Sequence, residues 1–280
     1  MNKLSSEQRA KVIAALVEGN SIRATCRMTG PAKGTVIRLL ADVGKACAEY
    51  QDKALRNIQS SRIQCDEIWS FCYAKQKNVP ENKQGQFGYG DVWTWIAIDA
   101  DSKLVISRLV GLRTVECAIE FVKDIQSRLA NRVQLTTDGH KVYVDAVENA
   151  FGSEIDYAML IKMYGPEIKG DVRYSPPEFV EAKPKVVQGN PDPKHISTSF
   201  VERQNLTMRM SMRRFTRLTN GFSKKIENLE YAVALHYMYY NFCRIHKTLT
   251  PKASIGVTPA MAAGITKRIW AIDDIVGLLD

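Results

Sequence analysis

Apolar positions in the first 50 residues recur with helical spacing. They fall at three- and four-residue steps over residues 10–17 and again over 36–43, which predicts two amphipathic helices. Between them, residues 22–28 predict a very short helix that ends at a Thr-Gly-Pro turn. A helix, a short helix, a glycine-containing turn and a further helix make up the helix-turn-helix plan, whose last helix enters the DNA major groove. The pattern therefore predicts an all-α helix-turn-helix domain over residues 1–58.

From about residue 61 the pattern changes to the alternation that is typical of strands. Strands are predicted over 62–73, 92–99, 103–110, 133–137 and 157–163, and helices over 114–129, 142–150, 199–212 and 229–244. Three successive strands followed by alternating helices and strands predict an α/β domain over residues 59–260, with helices packed on a mixed five-stranded sheet. Residues 176–193 hold five of the ten prolines, so we expect a long excursion there that is neither strand nor helix. Residues 261–280 are expected to form a C-terminal tail.

The composition excludes several classes of protein. Apolar residues make up 45% of the chain and charged residues 25%, as in an ordinary globular protein. The longest uncharged runs are far shorter than the ~20 apolar residues that span a bilayer, and no basic and apolar leader opens the sequence, so we expect neither a membrane partner nor secretion. The six cysteines include no Cys-x-x-Cys pair, which favours free thiols in a reducing cytoplasm over a zinc ribbon or a disulfide scaffold.

The net charge of +9 is concentrated in two segments. Residues 1–60 carry ten Lys and Arg against five Asp and Glu, and residues 203–225 carry seven basic residues and no acid. Because each phosphate that a protein neutralises releases counterions, two such segments favour a nucleic acid bound at two separate places. The alternative for either segment is a solvated face, and for the helical segment a small bundle without a ligand. Around the predicted turn, the candidate DNA contacts are Arg23, Arg27, Lys33, Thr35 and Arg38.

Three acids stand out on the predicted elements. Asp66 lies in the middle of the first strand, Asp138 lies just past the end of the fourth, and Glu202 lies in the first turn of the helix after the proline-rich segment. Functional groups of α/β sheets collect beyond the carboxyl ends of strands, so Asp66 and Asp138 come close together if the first and fourth strands are neighbours. Two adjacent carboxylates repel unless a cation lies between them, and Mg²⁺ or Mn²⁺ is the natural occupant. Two such ions ~4 Å apart can assist a phosphodiester displacement.

Each acid also has a structural explanation. Asp138 precedes a glycine and is compatible with a simple turn, and Glu202 has the spacing of a capping box with Ser199. Alternation places Asp66 and its neighbour on opposite faces of the strand, so one of these two acids points into an apolar layer, which a purely structural role explains poorly. Two further acids, Asp99 and Asp101, are better explained by the tight turn between the second and third strands.

Three acidic blocks occur in order along the chain. They are Cys65-Asp66-Glu67-Ile68-Trp69-Ser70-Phe71, Thr137-Asp138-Gly139-His140-Lys141-Val142-Tyr143 and Val201-Glu202-Arg203-Gln204-Asn205-Leu206-Thr207-Met208-Arg209. They are followed by Arg213-Arg214-Phe215-Thr216-Arg217-Leu218-Thr219 with Phe222-Ser223-Lys224, and by Tyr240-Asn241-Phe242-Cys243-Arg244-Ile245-His246-Lys247-Thr248-Leu249 with Thr258-Pro259-Ala260. Over roughly residues 62–260 this order resembles the insertion-sequence-one-type DDE transposases of the ribonuclease-H-like and integrase superfamily.

The resemblance implies a ribonuclease-H-like fold in which Asp66, Asp138 and Glu202 form a DDE triad that binds two Mg²⁺ or Mn²⁺ ions. It implies a transposase that binds double-stranded transposon ends and target DNA, as a homo-oligomer, in the nucleoid of a prokaryotic cytoplasm. It also implies the reaction: a water molecule would hydrolyse the strand at the transposon end, and the freed 3′-OH would then attack a target-strand phosphate. The residues implied to hold the DNA backbone are Arg203, Arg209, Arg213, Arg214 and Arg217, and those implied to orient ligands or substrate are Asn205, His140 and His246.

Two other functions stay open at this point. One is a DNA-binding regulator derived from a transposase whose acidic pocket is catalytically silent. The other is a simple ribonuclease-H-type nuclease, which would not need the N-terminal helices. A satisfied structural histidine is also an alternative for both His140 and His246.

Overall fold

The computed structural model describes residues 4–165, 178–216, 219–251 and 256–280. Its helices are α1 (Ser6–Val17), α2 (Ile22–Thr29), α3 (Lys33–Ala54), α4 (Val115–Arg128), α5 (Val142–Phe151), α6 (Ser199–Ser211), α7 (Ile226–Phe242), α8 (Pro259–Ala262) and α9 (Ile272–Gly277). Its strands are β1 (Arg62–Cys72), β2 (Gly90–Asp99), β3 (Val105–Gly111), β4 (Gln134–Asp138), β5 (Asp156–Tyr164) and β6 (Phe179–Gln188). No helix in these described ranges is both long and apolar enough to cross a membrane.

Serine side chains cap the N-termini of the first two helices. The Ser5 hydroxyl accepts a backbone N–H at the start of α1, and the Ser21 hydroxyl accepts one at the start of α2. α2 ends at Gly30, whose φ of 94° is a left-handed conformation that glycine adopts without strain. α3 extends well beyond the predicted 36–43, because its second half packs on the rest of the molecule.

α3 packs along α7 at a very close approach. At Gly44, a Cβ atom would lie 2.4 Å from the Cβ of Tyr231 on α7. Further along α3, the Gln51 side-chain amide donates to the carbonyl oxygen of Ala234 at 3.0 Å. These contacts join the three N-terminal helices to the rest of the protein. The helix-turn-helix domain and the domain boundaries near residues 58 and 260 stay predictions.

The strands form one mixed sheet in the order β3-β2-β1-β4-β5-β6. β1 pairs antiparallel with β2 and parallel with β4, and β4 pairs parallel with β5. The two outer pairs, β2 with β3 and β5 with β6, are antiparallel. The mixed α/β architecture with flanking helices is as predicted, but the described sheet has six strands, and the predicted count of five is wrong.

The additional strand, β6, lies inside the proline-rich segment 176–193. The prediction that this segment is neither strand nor helix is wrong for β6, in which Pro184 pairs with Leu160 of β5. A proline is tolerated on an edge strand such as β6, because alternate N–H groups of an edge strand point away from the sheet and make no ladder hydrogen bond. Residues 176 and 177 lie outside the described residues.

Helices cover both faces of the sheet around β1. On one face, the Trp95 ring of β2 lies 5.8 Å from the Phe121 ring of α4 and 5.4 Å from the Tyr143 ring of α5, measured between centroids. On the other face, the Gln64 side chain of β1 accepts backbone N–H groups from Phe200 and from the next residue of α6. β1 is therefore enclosed on both faces, with α6 fixed directly to it.

Residues 261–280, predicted as a tail, pack on other helices. The Trp270 ring lies 4.9 Å from the Tyr50 ring of α3 and 5.2 Å from the Phe242 ring of α7. At the other end of α9, the Asp280 carboxylate forms an ion pair of 3.0 Å with Arg9 of α1. These contacts hold the last helix against the N-terminal helices.

Candidate active site

Asp66 and Asp138 meet at the C-terminal end of β4. The parallel pairing of β1 with β4 ends at Cys65 and Thr137, and the two aspartates are the next residues on their strands. Side-chain oxygens of Asp66, Glu67 and Asp138 all lie within 4.8 Å of one another. The structure thus brings Asp66 and Asp138 together, as neighbouring first and fourth strands require.

Glu67 reaches this cluster from the opposite face of β1. Asp66 pairs with Ile96 and Glu67 pairs with Trp95 of β2, so alternation directs the two acids to different faces. The Tyr143 hydroxyl of α5 donates to Glu67 Oε2 at 3.0 Å, and the Glu67 side chain is only 1% exposed. The alternation along the strand predicts that one of these two acids faces an apolar layer. That residue is Glu67, the more deeply buried of the two.

Arg113 is the basic residue closest to this cluster. Its Nε donates to Glu67 Oε1 at 2.5 Å, and its Nη2 lies 3.6 Å from Asp138 Oδ2. Its guanidinium also lies 4.8 Å from the centre of the Trp93 ring. Arg113 lies in the turn between β3 and α4, where no periodicity applies, so the sequence carries no signal for its role.

The cluster strongly perturbs the protonation of its carboxyl groups. Burial, followed by the charges of Glu67 and Asp138, raises the pKa of Asp66 from 3.8 to about 7. Burial and the charge of Asp138 also raise the pKa of Glu67, while Arg113 and Tyr143 act to lower it. A cation placed between the carboxylates would remove this repulsion.

Glu202 lines the same cleft from α6. The cleft has a volume of about 530 Å³ and is lined by Asp66, Asp138 and Glu202 together with Arg113 and Lys162. The Glu202 carboxylate bonds the Lys162 ammonium and the Thr198 hydroxyl. In the described structure it therefore does not make the capping-box bond to a backbone N–H.

Lys162 lies on β5, two residues beyond the partner of Asp138 in the sheet. Lys162 lies on the strand next to the one that ends at Asp138, and this position was the one signal in the sequence that could have indicated its place in the site. With Arg113 it supplies two positive charges to the cleft.

Two of the three residues implied to orient ligands contact the acids. The Asn205 amide donates to Asp66 Oδ2 at 2.7 Å, and the His140 backbone N–H donates to Asp138 Oδ1 at 2.9 Å. The His140 ring lies nearly parallel to the Trp95 ring. Burial, followed by the charge of Arg113, lowers the pKa of His140. The third, His246, does not line the cleft, and its Nδ1 lies 3.0 Å from the Thr248 hydroxyl.

The basic residues predicted to bind DNA lie mostly on the surface. Exposed ones are Arg23, Arg27, Lys33, Arg38, Arg203 and Arg213, and Thr35 and Arg209 are half-buried. Arg214 is withdrawn from the surface and donates through Nε to the Ser223 hydroxyl at 2.7 Å. Arg217 lies outside the described residues. Their contacts with DNA stay predictions.

Asp99 and Asp101 belong to the β2–β3 turn, as the sequence indicates. Asp99 Oδ1 accepts the backbone N–H of Asp101 at 3.2 Å and the Ser60 hydroxyl at 2.9 Å. Asp101 forms an ion pair with Arg62. Both carboxylates therefore have structural partners in the protein.

No protein-family model matches this sequence, and no curated protein matches it. Among solved structures, the chain is similar to a piggyBac transposase in a synaptic complex with hairpin DNA, at 10% sequence identity and a TM-score of 0.43. The similarity covers 100% of this chain and 71% of that chain. A TM-score at this level is too low to carry an argument about fold or function, so the function is argued from the geometry of the site.

Proposed function

We propose that the protein is a DNA transposase of the insertion-sequence-one type, with Asp66, Asp138 and Glu202 as its catalytic DDE triad. The supporting observation is the arrangement at the end of β4, where two carboxylates on adjacent parallel strands face a third across one open cleft. Transfer of a phosphodiester needs oxygen ligands that hold divalent cations beside the reacting phosphate, and room for a polymeric substrate. The cleft offers both.

The acidic cluster fits a hard divalent cation. Its donors are carboxylates, the ligand type that Mg²⁺ and Mn²⁺ prefer. Burial, followed by the charges of Glu67 and Asp138, raises the pKa of Asp66, and a bound cation would relieve the repulsion between these charges. Asp66, Asp138 and Glu202 would hold the ions, while Glu67 stays bonded to Arg113 and Tyr143. When bound, a pair of such ions activates the attacking oxygen and stabilises the leaving oxygen.

The chain's own residues position the reacting groups. The Asn205 amide fixes the orientation of the Asp66 carboxylate, and the His140 backbone N–H fixes that of Asp138. Lys162 places an ammonium in the cleft, where it can exchange its bond to Glu202 for a phosphate oxygen. Positioning of this kind supplies much of the rate enhancement when little covalent work falls to the protein.

The proposed substrate is double-stranded DNA, both the transposon ends and the target. The exposed cations on α2, α3 and α6 support this choice, since phosphate contacts supply most of the affinity for a duplex. We expect a homo-oligomer on DNA, because two transposon ends are joined to one target.

One observation favours the silent regulator as a second candidate. Arg113 and Lys162 already neutralise part of the acidic charge, as side chains do in a pocket that no longer binds a cation. Metal binding separates the two functions, because the transposase must release the Arg113–Asp138 and Lys162–Glu202 ion pairs when Mg²⁺ binds, whereas the regulator keeps them.

The function is tested with the purified protein, Mg²⁺, a target plasmid and a duplex made from inverted repeats that flank the gene. A transposase cuts at the repeat and joins the freed 3′-OH to the target, and both products are resolved on a denaturing gel. Binding to the repeat without cutting would indicate the regulator, and cutting without joining would indicate a simple nuclease.

A further inference from the structure

A cationic cleft lies between the N-terminal helices and the described residues 213–216 and 219–224, here called the basic loop. Its volume is about 580 Å³, and five of its lining residues are cations. They are Arg23, Lys33, Arg213, Arg214 and Lys224. Among the described residues, no acid lines this cleft. The two basic segments that the sequence placed at separate positions therefore share one concave surface.

The cations of this cleft have no intramolecular counterions in the described structure. None of the five forms an ion pair with a described carboxylate. Arg214 is the most buried, and this burial lowers the pKa of its guanidinium to about 10. Because a buried charge without a counterion is unfavourable, an anion that enters the cleft would stabilise the Arg214 guanidinium.

Close contacts fix the basic loop to the strand that carries Asp66. At Gly221, a Cβ atom would lie 2.6 Å from the carbonyl oxygen of Arg213, so the backbone at Gly221 packs closely against Arg213. The backbone N–H of Tyr73 donates to the carbonyl oxygen of Ser223 at 2.8 Å. The rings of Phe71 and Phe222 lie 4.9 Å apart. The cleft is therefore attached to the end of β1.

We propose that this cleft binds the phosphodiester backbone of duplex DNA, so that α2, α3 and the basic loop hold the same short stretch of one duplex. The inference rests on the proposed function, which makes DNA the substrate. Five cations without an acid suit several successive phosphates better than one small anion. Because the loop is bonded to β1, a duplex held here has a fixed position relative to Asp66.

The test is a double-mutant cycle in the full-length chain. Lys33→Gln, Lys224→Gln and the double variant are compared for affinity to a duplex of about ten base pairs, one helical turn, over a range of salt concentrations. Each single change is expected to lower affinity several-fold and to reduce the slope of log affinity against log salt by about 0.9. The double variant is expected to reduce the slope by about 1.8, because both lysines neutralise phosphates of the same bound duplex.

Lys267→Gln is the matched control, since Lys267 is exposed and does not line the cleft. It is expected to keep wild-type affinity, and thermal unfolding confirms that every variant is folded. Unchanged affinity in either single variant, or a double variant whose salt slope falls no further than that of one single variant, overturns the shared cleft. If that happens while Asp66→Asn still abolishes strand transfer, the proposed function stands without the cleft; if the wild-type protein binds no duplex, both proposals fail.

Discussion

At the scale of single residues, the site holds more negative charge than its own cations neutralise. Asp66 is the clearest case, since its nearest charged neighbours are carboxylates and its side-chain hydrogen-bond donor, Asn205, is neutral. Arg113 pairs closely with the negative charge of Glu67 and lies farther from that of Asp138. This imbalance is what a bound cation would correct, and it has a measurable consequence for stability.

Without a bound cation, the wild-type protein is expected to lose stability as the pH rises. The pKa of Asp66 is about 7 in the folded chain against 3.8 for an ordinary aspartate, so the folded state binds a proton that the unfolded state releases between these values. Stability therefore falls from about pH 4 to pH 7. Asp66→Asn removes this dependence and is expected to be more stable than wild type at pH 8 by up to about 4 kcal/mol, since one pKa unit corresponds to about 1.4 kcal/mol.

Urea unfolding in EDTA at pH 5 and pH 8 measures this difference. Asp145→Asn is the matched control, because Asp145 is exposed on α5 and does not belong to the acidic cluster. If the free energy of unfolding changed with pH in the same way for the wild type and Asp66→Asn, the pKa of Asp66 would not be raised in the folded protein, which would contradict the prediction.

At the scale of elements, the contact between α3 and α7 fixes the N-terminal helices to the part of the molecule that holds the sheet. Gly44 makes this contact possible, since any side chain there meets the Tyr231 Cβ and backbone at 2.4 to 2.6 Å. α7 is in turn bonded to β3 through Asn241, whose side chain makes hydrogen bonds of 3.0 and 2.9 Å with the Val105 backbone. The position of α2 and α3 relative to β1 depends on this chain of contacts.

Gly44→Ala is expected to destabilise the protein by about 1–3 kcal/mol, because an added methyl group in a packed contact forces the helices apart. Gly34→Ala, in the same helix, meets no atom within 4 Å and is expected to leave stability unchanged or to raise it slightly. Thermal unfolding of the two variants measures the difference. Equal effects from both substitutions would mean that the α3–α7 contact is loose.

At the scale of the whole molecule, the sequence predicts those features that follow from periodicity. Every strand and helix predicted between 62 and 244 is present with ends shifted by no more than three residues. The meeting of Asp66 with Asp138 follows from the order of the strands, because parallel neighbours end at the same edge. β6 was missed because its proline counts against a strand everywhere except at a sheet edge.

The remaining features depend on long-range packing that no local pattern encodes. Arg113 reaches the acids from a turn, and Lys162 reaches Glu202 from a different element. The shared cationic cleft brings together segments far apart in sequence, and the packing of α3 on α7 helps to set their relative position. Charge counting could identify both segments but could not place them side by side.

The most direct test of the central claim is strand transfer by variants of the three acids. In the assay with flanking repeats and Mg²⁺, Asp66→Asn, Asp138→Asn and Glu202→Gln are each expected to abolish cleavage and joining while duplex affinity stays close to wild type, because the cations that bind phosphates are untouched. Asp145→Asn is expected to keep full activity. Substantial joining by any of the three variants, in a protein that binds DNA normally, would contradict the assignment of Asp66, Asp138 and Glu202 as the catalytic triad.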